Sequence, residues 1–98
     1  MKCYTGSMKT ARQMERHLKG VSNHCRIEIL LLVNNEPGVT VDGLAKGLKK
    51  NFKTVSEHTR RLVYAGLINK TYKGRSVGHT LSPYGKILVK FLQSFRNS

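Results

Sequence analysis

The segment Thr40–Gly66, TVDGLAKGLKKNFKTVSEHTRRLVYAG, reads as two short amphipathic helices set end to end. In the first, Val41, Leu44, Ala45 and Leu48 recur at helical spacing behind Thr40, whose hydroxyl suits an N-cap, and Asp42 falls in the first turn, where the helix dipole favours negative charge. Lys49 and Lys50 close it. Asn51 then opens a second helix over residues 52–65, with Val55 and Leu62 inward, the less apolar pair His58 and Thr59 between them, and Gly66 at the left-handed position that ends a helix. Two such helices joined by about three residues make a helix-turn-helix.

Working outward, Met8, Ala11, Met14, Leu18 and Val21 form the apolar stripe of a helix over 8–21, with Lys9, Arg12, Arg16 and Lys19 on its other face. Asn23 caps a helix over 24–34 that is apolar on nearly every side (Ile27, Ile29, Leu30, Leu31, Leu32, Val33) and is the expected core helix. Asn34 to Gly38 is a strong turn, and Val39–Val41 a very short strand. Beyond Gly66 the period changes. Residues 67–72 and 76–81, rich in Thr, Tyr, Ile and Val, flank Lys73-Gly74-Arg75 as a β-hairpin. Ser82-Pro83 is an N-cap with proline at the first helical position, and Tyr84, Ile87, Leu88, Phe91, Leu92 and Phe95 mark a last helix over 83–96. The expected fold is mainly α with a small β-hairpin, in the order α-α-(short β)-α-α-β-β-α. It forms a single domain over 8–98 behind a disordered tail, residues 1–7.

Charge narrows the function. The chain has 98 residues and a net charge of +13, and residues 46–75 alone carry 9 basic and 1 acidic side chain. That concentration implies a polyanionic partner. So small a domain has no room for a deep substrate cavity, and no Ser-His-Asp order, glycine-rich phosphate loop or carboxylate pair points to catalysis. Cys3 and Cys25 lie too far apart for a zinc knuckle or a disulfide framework. His17, His24, His58 and His79 each lack a thiol or carboxylate at ligand spacing, so neither metal nor cofactor is expected. With no secretory signal or membrane-length apolar run, a soluble cytoplasmic protein is expected, nucleoid-associated when bound to DNA.

Within this order, Ser22–Leu30 (SNHCRIEIL) resembles the second-helix signature of the ArsR-type winged-helix repressors. Thr54–Ile68 (TVSEHTRRLVYAGLI) resembles their recognition helix and its exit into the first wing strand. Lys73-Gly74-Arg75 and Thr80–Gly85 (TLSPYG) resemble the wing tip and the start of the last helix. The likeness runs from Leu18 to Gly85 and is to the broad ArsR/MarR-like group of winged helix-turn-helix regulators. It departs from the pattern in three places. The paired cysteines of metal-sensing members fall at Thr40 and Asp42, Thr59 stands where an apolar residue is usual, and Gly78 stands where a wing aromatic is common.

These readings together predict a sequence-specific transcriptional regulator of double-stranded DNA, acting by occlusion as a repressor. Its recognition helix would enter the major groove and its wing the minor groove. Thr54, Ser56 and Glu57, near the helix start, suit base reading; Arg60 and Arg61 suit phosphate or guanine; Lys49, Lys50 and Lys53 cluster where a helix N-terminus also attracts phosphate. Lys73 and Arg75 flank the wing-tip glycine, where cations serve no packing purpose. His58 straddles core and DNA, and Cys25 reads as a small buried hydrophobe. The first and last helices, through Met14, Leu18, Leu88, Phe91, Leu92 and Phe95, carry more apolar surface than a lid needs, which predicts a homodimer paired across 8–21 and 83–96. No small-molecule effector is evident. The high net charge leaves open a largely sequence-tolerant, architectural nucleic-acid binder on the same fold.

Overall fold

A computed structural model describes residues 8–98. The elements are α1 (Ala11–Val21), α2 (His24–Asn35), α3 (Val41–Leu48), α4 (Phe52–Tyr64), β1 (Ile68–Lys73), β2 (Ser76–Leu81) and α5 (Pro83–Arg96). The expected order holds throughout. Tail residues 1–7, Cys3 among them, lie outside the described residues.

Each helix starts where a side chain can satisfy its free amides. Asn23 accepts from the Cys25 and Arg26 amides at 2.9 and 3.2 Å, and Thr40 accepts from Gly43 at 3.1 Å. Asn51 accepts from Lys53 and Thr54 at 2.8 and 3.2 Å, and Ser82 accepts from Gly85 at 3.0 Å. One boundary moves. The first helix begins at Ala11 and not at Met8, because Thr10 and Gln13 form a reciprocal capping box that stops the helix there. Met8 and Lys9 precede the helix, although Met8 continues its apolar stripe.

α2 runs through the middle of the molecule. Ile29 and Leu30 are fully enclosed, α3, α4, β2 and α5 all pack around this helix, and Leu44, Val55, Leu62, Leu67 and Val89 join them in one buried cluster. Burial of this cluster holds the helix-turn-helix rigid against the rest of the chain. Gly66, with φ +80, ends α4 in the left-handed region, and Leu67 returns its amide to Leu62 at 3.1 Å.

The hairpin is a two-stranded antiparallel ribbon in which Ile68 pairs with Leu81 and Lys73 with Ser76. The short strand expected at 39–41 is a single bridge, Val39 to His79, since Val41 already belongs to α3. His79 anchors this contact three times. Its amide donates to the Val39 carbonyl at 2.9 Å, its ring Nδ1 reaches the same oxygen at 2.9 Å, and its own carbonyl accepts from Gly38 at 2.8 Å. Gly78 is needed here because a side chain at that position would meet the Gly38 carbonyl. That close approach accounts for the missing wing aromatic.

Candidate nucleic-acid interface

The basic residues of 46–75 emerge on three neighbouring surfaces. Lys49 caps α3 in the left-handed conformation, φ 56, and is exposed; Lys50 is half-buried, with Nζ 3.6 Å from Glu28 of α2. Among the described residues, the turn between the two helices therefore projects one cation without an ion-pair partner, Lys49, and one restrained by a carboxylate, Lys50.

On α4, Lys53 and Thr54 are exposed in the first turn, at an N-terminus whose amides are partly satisfied by Asn51. With Glu57 and His58 they border a shallow depression of about 560 Å³. An adjoining open cleft of about 520 Å³ lies between α4 and the hairpin, with Ser56 and Arg60 on one wall and Lys70, Arg75 and Val77 on the other. Two expected recognition residues, Ser56 and Arg60, and one expected wing cation, Arg75, thus share this cleft, whereas Lys53, Thr54 and Glu57 border the depression and Arg61 lines neither. Lys73 does not join them. It lies on the opposite face of the hairpin, beside Thr71, Thr80 and the Pro37-Gly38 turn.

Glu57 is already engaged. Both its oxygens accept from Arg60 Nη2, at 2.9 and 2.8 Å, and Oε2 also lies 3.3 Å from Arg61 Nε. The hydrogen bond from Arg60 holds its carboxyl below the usual range, with the charges of Arg60 and Arg61 adding to the effect. Glu57 is therefore an ionised acceptor that orients two arginines. To read a cytosine amino group it must share or release one of them.

Two residues of this face carry signals that the sequence reading passed over. Lys70 pairs across the ribbon with His79, and directly paired residues project from the same face of a ribbon, so strand alternation alone assigns Lys70 to the cleft. Arg26 of α2 reaches His58 across 32 positions of sequence, Nε to Nδ1 3.2 Å, a pairing no local pattern reveals. Thr59 faces the core, 1% exposed, with its hydroxyl unpartnered. Cys25 is buried in α2, and desolvation pushes its thiol up, which keeps it protonated and unreactive at neutral pH.

Away from this surface, α1 and α5 leave apolar side chains in solvent. Met14 is 47% exposed, Leu18 55%, Phe91 56% and Phe95 68%, while Leu88 and Leu92 are half-buried at the foot of the same face. A groove of about 400 Å³ runs between the two helices over His17, Leu67 and Tyr84. No helix of the described residues is long and apolar enough to cross a membrane.

The sequence profile of bacterial regulatory proteins of the arsR family matches residues 23–70, from the N-cap of α2 into β1. Among solved structures, HlyU from Vibrio cholerae superimposes with a TM-score of 0.81 at 24% identity, over 92% of this chain and 98% of that one. The homodimeric winged helix-turn-helix DNA-binding domain Mb0332 from Mycobacterium bovis, a possible ArsR-family transcriptional regulator, gives 0.78 at 21% identity over 92% and 89%. The transcriptional repressor PagR of Bacillus anthracis gives 0.76 at 18% over 83% and 93%. No curated protein sequence matches. At these identities the structural likeness is one of fold.

Proposed function

We propose that the chain is an ArsR-type winged helix-turn-helix transcriptional regulator, a homodimeric repressor acting on two-fold symmetric sites in double-stranded DNA, a reading supported by the match of residues 23–70 to the arsR family and by the fold. The cleft shared by Ser56 and Arg60 of α4 with Lys70 and Arg75 of the wing carries this reading. It aligns a helix narrow enough for the major groove with cations that follow the adjacent backbone. Thr54 and Ser56 face base edges, and Glu57 does so when it releases an arginine. Arg60, Arg61, Lys49, Lys50 and Lys53 neutralise phosphates, and Arg75 and Lys73 straddle the backbone as the wing tip enters the minor groove.

Dimerisation through α1 and α5 covers Met14, Leu18, Leu88, Phe91, Leu92 and Phe95, a patch that a monomer rarely leaves in water. Mb0332, of the same fold, is homodimeric. Pairing across a two-fold axis sets two recognition helices about 34 Å apart, one turn of DNA. In this reading repression acts by occlusion of the bound site.

The test is selection from a pool of random duplexes at several salt concentrations, with fluorescence anisotropy on the enriched sequences. Six to ten phosphate contacts per dimer predict an affinity loss of about 10³ to 10⁵ between roughly 50 and 200 mM salt. A symmetric motif that persists at the higher salt is the expected result. Steep salt dependence with no motif would replace this reading with the sequence-tolerant binder that the net charge of +13 favours.

A further inference from the structure

Arg26 leaves α2 in its first turn and spreads its guanidinium over three acceptors. Nη1 donates to the carbonyls of Lys19 and Gly20 at the end of α1, at 3.3 and 3.1 Å, and Nε points at Nδ1 of His58 on α4, at 3.2 Å. A guanidinium has only N–H donors and does not lose its proton in proteins, so Nδ1 of His58 must offer a lone pair. The ring is thereby fixed as the neutral tautomer with hydrogen on Nε2. That Nε2 makes no hydrogen bond among the described residues and is not one of the buried unpartnered atoms, and the ring lines the open depression beside Lys53, Thr54 and Glu57.

We propose that His58 is a base-reading residue of the recognition helix, set by Arg26 as a neutral Nε2–H donor for an acceptor on a base edge in the major groove, such as a purine N7. Arg26 is the positioning residue: it selects the tautomer and, braced on the end of α1, holds the ring in place. The surroundings keep the ring uncharged. Burial disfavours the imidazolium, Arg26 and His24 of α2 and Arg61 of α4 repel it, and Glu57 alone attracts it. A neutral donor carries sequence information without neutralising a phosphate, so it changes which bases are preferred and leaves the salt dependence alone. This inference rests on the sequence-specific reading above.

The experiment is selection from the same random duplex pool with the full chain as wild type, His58→Ala, His58→Gln and Arg26→Met. Circular dichroism establishes that each is folded, and long-range 1H–15N spectra of the imidazoles report the tautomer. In the wild type, His58 is expected as the Nε2–H form, and a motif is enriched. His58→Ala is expected to lose about tenfold discrimination at one base pair in each half-site, with the salt slope unchanged. His58→Gln, whose amide still offers a donor, retains part of the preference, and Arg26→Met lowers it while mixing the tautomers. If His58→Ala enriches the wild-type motif unchanged, or if it weakens all sequences equally and lowers the salt slope by about one per protomer, His58 is no base reader and the inference falls. An Nδ1–H tautomer in the wild type also overturns it. Failure of the wild type to enrich any motif removes the sequence-specific reading itself.

Discussion

Histidine changes role from site to site in this chain, and its hydrogen-bond partner decides which. His17 and His79 each direct Nδ1 at a backbone carbonyl, Ala65 at 2.6 Å and Val39 at 2.9 Å, so there Nδ1 carries the hydrogen; opposite Arg26, His58 must do the reverse. The His58 pKa is lowered, chiefly by burial and then by Arg26 and Arg61. The folded state therefore prefers the neutral ring. That stabilisation is complete above the unfolded value near 6.5 and is lost as pH falls through the lower folded value. Urea denaturation at about pH 7.5 and about pH 5 is expected to show a larger acid loss of stability in the wild type than in His58→Gln. Thr59 presents the opposite case, a buried hydroxyl with nothing to bond. Thr59→Val keeps the shape and removes that cost, so the urea midpoint is expected to rise by the equivalent of about 1 kcal/mol.

Among the elements, tight approaches matter as much as caps. Gly85, in the first turn of α5, lies against the backbone of Leu67, and a methyl group there would overlap the Leu67 carbonyl. The same junction is tied by Ser82 Oγ donating to the Gly66 carbonyl at 2.6 Å. Gly85→Ala is expected to cost roughly 1–3 kcal/mol in denaturant unfolding, because backbone and not a flexible side chain must give way. The elements themselves were legible in the sequence wherever the signal is local. Asn23, Thr40, Asn51 and Ser82 announce four helix starts, and the stripes through Leu44 and Leu62 assign their inner faces. The start of α1 was misread because the Thr10 and Gln13 capping box overrode an apolar stripe that runs on to Met8. Gly78 and the Arg26 to His58 contact stayed hidden because each depends on which distant segment arrives opposite it. The basic face was legible as composition, but its division, with Arg75 in the cleft and Lys73 behind the hairpin, needed the strand register.

For the molecule as a whole, the proposed assembly makes one face answer for another. Phe91 and Phe95 stack with ring centroids 5.7 Å apart on the exposed side of α5, and Leu18 stands out from α1. Leu18→Asp with Phe91→Asp is expected to yield a folded monomer in sedimentation, with affinity for a symmetric duplex down by at least about tenfold while that for a single half-site changes little, since linking two sites supplies the difference. The triple anchor at His79 has its own consequence. It joins the base of the hairpin to the α2–α3 turn, while residues 69–76 beyond it are exposed. Mechanically the wing is a cantilever, clamped at its root and loaded at its tip. Amide hydrogen exchange is expected to be slow at Gly38 and His79 and to quicken towards Gly74. Bending such a beam requires little force at Arg75, yet any torque it transmits arrives at the turn between α2 and α3, so the compliance of the DNA grip is set at its far end.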